Sequence, residues 1–323
     1  MTDRESTVVI TGASSGIGLC TAEAFARRGA NVVLVARAAA PLAEAAERCR
    51  AAGGRTLVVA ADVADGEALR RVADEAVAAF GGVDVWVNNA GTSLWGLFED
   101  IPLETHRRLV EVDLVGVING AHAVLPHFLA RGTGVLINVV SIGGRLPSPW
   151  AASYSAAKFG VAGFTQALRS ELASHSKVRV CGVYPAFTDT PTAARSGNYT
   201  GRTLRPVPPV VTPERVAAAI VSLAGRPRRT RLVGSQHVLS FGHAIAPGLT
   251  GTLSARLGGW YFGRAGEPAE PTDGALFEVR PAPVSGRGGW GLPQRRRARA
   301  VVAGVAVVGL AAATAGRVRR LRA

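Results

Sequence analysis

Short apolar, β-branched runs alternate with longer stretches rich in Ala, Leu, Glu and Arg throughout the first 235 residues. Strands covered by helices on both faces are almost continuously apolar, and strands separated by helices form parallel sheets. Seven runs fit such strands: 7–11, 31–36, 56–60, 83–88, 134–140, 178–183 and 230–233. Helices are predicted near 17–28, 41–52, 66–80, 103–130, 152–174 and 213–224. The alternation predicts an α/β fold with a doubly wound parallel sheet of about seven strands.

Two segments of the chain lack this alternation, one within the first 235 residues and one after them. Residues 191–211 carry Gly, Pro and Arg and predict a long loop, which in a compact domain is usually a functional lid or disordered. Residues 236–294 are rich in Gly and Pro and predict an irregular extension with one short helix near 243–257. Three parts are therefore expected: a domain over 1–235, an extension over 236–294 and a separate tail over 295–323.

The tail contains an uncharged stretch, 300–316, with four arginines on each side. Its 17 residues would make a helix of about 25 Å, the lower limit for a membrane span. Arginines without acidic neighbours suit anionic lipid headgroups, so we expect a C-terminal membrane helix. The alternative is an Ala/Val-rich helix that packs on the domain or on another chain. The equal flanks leave its orientation open.

The net charge of +14 lies in the second half of the chain. Residues 1–190 hold 17 basic and 18 acidic groups, whereas residues 191–323 hold 20 basic and 5 acidic groups. Nucleic-acid binding would require a reading motif or interleaved aromatic residues, and neither basic block has them, so no nucleic-acid partner is expected. Only Lys158 and Lys177 of the 37 basic residues are lysine, so a lysine within a motif is informative.

The cysteines and histidines show no pattern typical of a metal site. Three cysteines lack metal-type spacing and give no basis for a disulfide framework, which indicates a reducing, cytoplasmic compartment for the domain. Six histidines show no ligand spacing, so no metal site is expected.

A glycine-rich turn follows the first predicted strand and begins a helix. Glycines at these spacings permit a tight turn and let backbone amides approach a pyrophosphate at the helix N-terminus. The position of the turn after the first strand predicts a Rossmann-type dinucleotide site. Its proposed ligands are Gly12, Ser14, Ser15, Gly16, Ile17 and Gly18.

Arg37 ends the second predicted strand, where an acidic residue would accept the ribose hydroxyls of NAD. No acid lies between Ala36 and Ala43. A guanidinium can pair with the 2′-phosphate of NADP, so the expected cofactor is NADP rather than NAD.

Three further motifs follow in order: Asn88-Asn89-Ala90-Gly91, Ser141, and Tyr154-Ser155-Ala156-Ala157-Lys158. With the glycine-rich turn, their order and spacing make the chain resemble the short-chain dehydrogenase/reductase family over about residues 6–235. Residues 206–280, including Pro206-Val207-Pro208-Pro209, resemble an extended bacterial subgroup of that family.

Tyr154 and Lys158 are four residues apart, so they share one face of a helix. The ammonium group, together with an oxidised nicotinamide ring, would lower the pKa of the phenol and make Tyr154 an acid/base group. The resemblance implies that Ser141 holds the substrate oxygen beside Tyr154. Asp113 stands where the family usually has Asn, and its carboxylate could support a proton-relay water, pair with Lys158 or weaken the effect of Lys158 on Tyr154.

The resemblance also implies further cofactor contacts. Asp62 and Val63 would border the adenine, and Asp62 is alternatively a strand-end cap. The residues Asn88, Asn89, Ala90 and Gly91 would pass under the adenosine ribose, with Tyr154 and Lys158 on the nicotinamide side. The segment 185–190 would cover the nicotinamide through Pro185, Thr188 and Thr190, although Ala186 replaces the usual Gly.

These residues together predict an NADP-dependent oxidoreductase that interconverts a carbonyl and a secondary alcohol. Trp95, Trp150 and Phe187 would favour a hydrophobic substrate. The alternatives are a dehydratase or epimerase with the same cofactor, which would consume no net NADPH, and a non-catalytic, membrane-associated NADP sensor. The resemblance further implies a homo-oligomer formed through the helices predicted at 103–130 and 152–174.

Overall fold

A computed structural model describes residues 6–264, 266–280 and 284–290 of the chain. The strands are β1 (Thr7–Thr11), β2 (Asn31–Ala36), β3 (Arg55–Ala60), β4 (Val85–Asn88), β5 (Leu94–Trp95), β6 (Gly134–Val139), β7 (Val178–Pro185), β8 (Gly197–Asn198) and β9 (Thr230–Val233). The helices are α1 (Gly16–Ala26), α2 (Ala39–Ala51), α3 (Gly66–Phe80), α4 (Leu103–Val110), α5 (Gly116–Arg131), α6 (Ala152–Glu171), α7 (Thr192–Arg195), α8 (Pro213–Gly225), α9 (His237–Ile245) and α10 (Pro247–Arg264).

Seven of the strands form one parallel sheet in the order β3-β2-β1-β4-β6-β7-β9. The chain winds outward from β1 in both directions, so the strand order reverses between β1 and β4. The predicted doubly wound, Rossmann-type fold is confirmed. Ligands of such sheets bind beside the carboxyl ends of the strands at this reversal point, which is where β1 enters the glycine-rich turn.

The sheet separates two apolar cores. One lies against α1 and α8 and contains Phe25 and Leu34, which are both fully buried. The other lies against α3 and α5 and contains Trp86 and Phe128, also fully buried. Burial on both faces explains why the strands are nearly uniform apolar runs.

The predicted helix over 103–130 contains an irregularity that no sequence pattern indicated. A π-helical turn, Glu111–Val115, joins α4 to α5. Within the described residues, Leu103–Arg131 alone combines the length and hydropathy of a membrane span, but it packs against α3 and α6 as a core helix of the domain. The stretch 300–316, in which we expect the membrane helix, lies outside the described residues.

Two helices occupy the region in which one short helix near 243–257 was predicted, so that prediction was wrong. They are α9 and α10, and Ala246 separates them with non-helical backbone angles, φ −137° and ψ 71°, because Pro247 follows it. The second helix contains Gly248, Gly251, Gly258 and Gly259, whose low helix propensity concealed it.

Residues 266–280, hereafter the strap, lie across one end of the sheet's carboxyl edge. The strap pairs with the segment after β7 through bridges between Arg202 and Pro268 and between Asn198 and Thr272. The Asp273 carboxylate accepts hydrogen bonds from the hydroxyls of Thr105 and Tyr199, both at 2.7 Å. These contacts fix a segment whose composition had predicted only an irregular extension.

Candidate active site

The glycine-rich turn provides close backbone approach. Gly12 has φ of +68°, and a Cβ built there would lie 2.9 Å from Ala90 Cα. A Cβ at Gly18 would lie 2.7 Å from Asn89 Nδ2, which shows that Gly18 packs beneath the turn. The first-turn amides of α1 have no intrahelical acceptors, and the Ser285 carbonyl accepts only that of Gly16, at 2.9 Å. The adjacent amides of Ile17 and Gly18 and the absence of side chains at Gly12 and Gly16 fit a pyrophosphate.

The loop after β4 is fastened to β1. The Thr11 hydroxyl accepts hydrogen bonds from the amides of Asn89 at 2.9 Å and of Ala90 at 3.0 Å. The Asn89 side chain donates to the Thr11 carbonyl at 2.9 Å. Asn88 instead points into the core, where it donates to the Val117 carbonyl and the Asn138 side chain. Asn89, Ala90 and Gly91 therefore border the crevice, while Asn88 ties three elements together.

Arg37 is held at the end of β2 by the strap. Its guanidinium donates to the Leu276 carbonyl at 3.0 Å and to the Ala275 carbonyl. Asp62, the one acidic residue that lines the crevice within the described chain, is already in an ion pair with Arg108. Asp62 Oδ1 also accepts from the Ala64 amide at 3.0 Å, as a strand-end cap does. The adenosine end of the crevice is consequently cationic.

Ser141, Tyr154 and Lys158 converge at the carboxyl end of β6. Ser141 follows this strand with φ of 127°, a strained conformation for a residue with a side chain, and its Oγ accepts from the Gly143 amide at 3.1 Å. Tyr154 and Lys158 lie one turn apart on α6, with Lys158 Nζ 5.7 Å from the centroid of the phenol ring. Both Ser141 and Tyr154 adjoin Gly143, since a Cβ built there would lie 3.0 Å from Tyr154 Cε1 and 3.5 Å from Ser141 Oγ. The spacing of four residues does bring both α6 side chains to one site.

Asp113 lies in the π-helical turn behind this group and is fully buried. Its Oδ2 is 2.9 Å from Lys158 Nζ, and its Oδ1 accepts from the Thr92 amide at 2.8 Å. Of the arrangements left open by the sequence, the structure contains the direct pair with Lys158. The carboxylate does not line the crevice, so it would act on a substrate only through Lys158.

Burial raises the pKa of the Tyr154 phenol by more than the neighbouring ammonium group lowers it. Burial raises the pKa of Tyr154, Lys158 lowers it, Asp113 raises it and the Ser141 side chain lowers it, with a net result above the usual value. Burial alone would lower the pKa of Lys158, but Asp113 and Tyr154 raise it above its usual value. The lowered phenol pKa expected from the sequence is therefore not a property of the protein alone. Tyr154 keeps its proton at neutral pH and can donate it.

A crevice of about 370 Å³ joins the glycine-rich turn to Tyr154. Every predicted site residue except Gly18 and Asp113 lines it: Gly12, Ser14, Ser15, Gly16, Ile17, Arg37, Asp62, Val63, Asn89, Ala90, Gly91, Ser141, Tyr154, Lys158, Pro185, Thr188 and Thr190. Sequence reasoning missed Arg195 and three strap residues, Ala275, Val279 and Arg280. Nothing in the sequence paired the strap with the crevice, since it comes more than 200 residues after the turn it faces.

The walls near Tyr154 are largely apolar. Trp95, Ile142, Phe187 and Val207 line this part of the crevice. Trp150 does not, because its indole faces Gly258 and Gly259 of α10 instead. The expectation that Trp150 contacts the substrate is not met in this arrangement, whereas Trp95 and Phe187 occupy the expected positions.

Comparison with known proteins agrees with this site. The family model for short chain dehydrogenase matches residues 6–199. An uncharacterized oxidoreductase, YxnA, of Bacillus subtilis is 34% identical, over 85% of this chain and 79% of its own. Cis-4-hydroxycyclohexanecarboxylate dehydrogenase of Sinomonas cyclohexanicum is 40% identical over 68% of this chain and 89% of its own. 3beta-hydroxysteroid dehydrogenase 1 of Eggerthella lenta is 35% identical over 75% and 95%.

Solved structures give the same result. A short chain dehydrogenase from Mycobacterium paratuberculosis bound to NAD has a TM-score of 0.65 and 27% identity, over 72% of this chain and 97% of its own. A metagenomic short-chain oxidoreductase in complex with NADP has a TM-score of 0.60 and 29% identity over the same shares. The chain therefore belongs to the short-chain dehydrogenase/reductase family and is an NAD(P)-dependent dehydrogenase or reductase.

Proposed function

We propose that the protein is an NADP-dependent reductase of hydrophobic ketones, which also oxidises the corresponding secondary alcohols. The observation that carries this proposal is the convergence of Ser141 and Tyr154 beside Gly143 at the apolar end of the crevice, with Lys158 next to the phenol. A carbonyl oxygen placed between the two hydroxyls would accept a hydrogen bond from each.

In the proposed mechanism, Tyr154 donates its proton to the substrate oxygen during reduction and accepts one from the alcohol during oxidation. Ser141 holds that oxygen, and Lys158 stabilises the phenolate that forms. Asp113 keeps Lys158 protonated and oriented, so it acts as a positioning residue. The nicotinamide of the bound cofactor supplies or takes up the hydride.

Arg37 supports NADP as the preferred cofactor. Its guanidinium keeps unused donors after the two strap carbonyls are satisfied, and Asp62, the acidic neighbour of Arg37 among the described residues, is paired with Arg108. The proposed cofactor ligands are the crevice residues predicted from the sequence, with Gly18 contributing through close packing beneath the turn.

An alicyclic secondary alcohol or its ketone is the proposed substrate class. The walls formed by Trp95, Ile142, Phe187 and Val207 suit such a skeleton. The names of two relatives refer to ring-bearing hydroxy compounds, a hydroxycyclohexanecarboxylate and a hydroxysteroid. A dehydratase or epimerase is the alternative, and no feature of the crevice favours it. Within the described residues nothing supports the membrane-associated, non-catalytic alternative.

The test is NADPH absorbance in the presence of a panel of cyclic and steroidal ketones. We expect turnover by the native protein and none by Tyr154→Phe, which keeps the ring but has no proton to donate. Cofactor binding should be retained in the variant. Retained turnover would remove Tyr154 from the mechanism, and product formation without NADPH consumption would favour the alternative.

We further infer a homo-oligomer and a cytoplasmic location for the domain. Val115, Ile118 and Leu129 around α5 and Phe159 on α6 are 37–42% exposed, which supports an interface along these helices. Light scattering of the purified protein tests the assembly. Three free, buried cysteines support a reducing compartment.

A further inference from the structure

Arg195 reaches across the crevice to the glycine-rich turn. It ends α7, and its backbone is fixed because its carbonyl accepts from the Ala275 amide of the strap at 2.8 Å. The next residue, Ser196, shares a 2.6 Å hydrogen bond with Ser93. From this fixed position the Arg195 guanidinium donates to the Ser15 hydroxyl, 180 residues earlier in the chain.

The guanidinium has no anionic partner on its own chain. Among the described residues, no carboxylate forms an ion pair with Arg195, although the side chain is half-buried. Burial and the neighbouring Arg37 both lower the pKa of Arg195. A half-buried cation beside another cation is unfavourable unless an anion joins them.

The surroundings of the guanidinium indicate which anion. Ser15 is the N-cap residue of α1, and the first-turn amides of Ile17 and Gly18 follow it. Helix N-termini of this kind bind phosphate groups, and the planar guanidinium matches phosphate oxygens better than an ammonium group does. Arg37 lies at the end of β2 instead, where the adenosine ribose would lie.

We propose that Arg195 is a second phosphate ligand, which binds the pyrophosphate of the cofactor together with the N-terminus of α1. This assignment rests on the proposed dinucleotide function and adds a ligand to it. Arg195 would stabilise NADPH and NADH equally, because both contain the pyrophosphate. Arg37 would distinguish between them, because only NADPH carries the 2′-phosphate.

The experiment measures dissociation constants by quenching of tryptophan fluorescence in the full chain, with NADPH, NADH and adenosine 2′-monophosphate as probes. We expect Arg195→Gln to weaken both dinucleotides by about 10- to 100-fold, the loss typical of one charge-assisted hydrogen bond. The dissociation constant of adenosine 2′-monophosphate, which lacks a pyrophosphate, should change by less than twofold. Arg37→Gln should weaken the binding of NADPH and of adenosine 2′-monophosphate, which both carry the 2′-phosphate. It should change the binding of NADH little.

Arg195→Lys keeps the positive charge but lacks the planar, forked guanidinium. It should therefore retain part of the dinucleotide affinity that Arg195→Gln loses. Arg215→Gln is the matched control, since Arg215 is exposed on α8 and does not line the crevice. Unchanged dinucleotide affinity in Arg195→Gln overturns the assignment, as does an equal loss for all three probes, which would mean that the loop itself had been disrupted. If native protein binds neither dinucleotide, the proposed function fails as well, which is a distinct result.

Discussion

Replacing Asp113 by Asn tests whether the buried carboxylate sets the pH at which Tyr154 works. Asp113 Oδ2 lies 2.9 Å from Lys158 Nζ, which in turn lies 5.7 Å from the phenol centroid. The carboxylate is therefore no more than about 9 Å from the ring. With an effective dielectric constant of about 20, a unit charge at that distance contributes roughly 1.8 kcal/mol to the ionisation of the phenol.

The expected shift of the pH profile has the same direction whether Tyr154 or Lys158 loses its proton first. Asp113 raises the pKa of both Tyr154 and Lys158, so its neutralisation makes the pair lose a proton more readily. Alcohol oxidation requires a deprotonated Tyr154, so the rising limb of kcat/KM should move to lower pH in Asp113→Asn. The falling limb of carbonyl reduction should move in the same direction.

The assay is the pH dependence of kcat/KM in both directions, with cofactor affinity and thermal unfolding measured beside it. Glu111→Gln is the control, because Glu111 lies in the same π-helical turn but is exposed and pairs with Arg108. A profile for Asp113→Asn that coincides with that of native protein, in a folded variant that binds NADPH, would refute the reasoning. A shift to higher pH would refute it equally.

Two further predictions concern the cofactor and the core. Arg37→Asp should reduce kcat/KM with NADPH by at least about 100-fold, because a carboxylate replaces a phosphate ligand, while efficiency with NADH is maintained. An equal loss with both cofactors would instead mean that Arg37 only anchors the strap. Phe128→Ala should lower the free energy of unfolding by about 3–5 kcal/mol in urea titrations, because the fully buried ring leaves a cavity. Leu249→Ala, at a side chain 55% exposed and outside the proposed interface, should change it by less than about 1 kcal/mol.

The sequence predicts the sheet well because its periodicity is local. The runs at 7–11, 31–36 and 230–233 match the observed strands to the residue, since each is bounded by turn residues. The first two are also buried, whereas 230–233 is a largely exposed edge strand. Helix ends shift by up to three residues, as at α6, where a 3-10 turn follows Glu171. The π-helical turn had no local signal, because the residue pattern of 103–130 suits an ordinary α-helix.

In the site, too, contacts between residues close in the sequence could be predicted, whereas contacts between distant residues could not. Tyr154 and Lys158 are neighbours on one helix, so their spacing alone predicted their proximity. The pair between Asp113 and Lys158 joins residues 45 positions apart, and the sequence could only suggest it among alternatives. The strap was missed entirely, since its contacts with Arg37 and Arg195 depend on carbonyls, which no side-chain motif records.

Arg37 and its acceptor Leu276 are 239 residues apart. Closing so long a loop is entropically costly, and during synthesis the contact must wait until nearly all of the described chain has left the ribosome. Ser141, Tyr154 and Lys158 lie within 18 positions of one another, so the proposed proton-transfer residues can be brought together early. The contacts that fix Arg37, the proposed ligand of the adenosine half of the cofactor, form only at the last stage of folding.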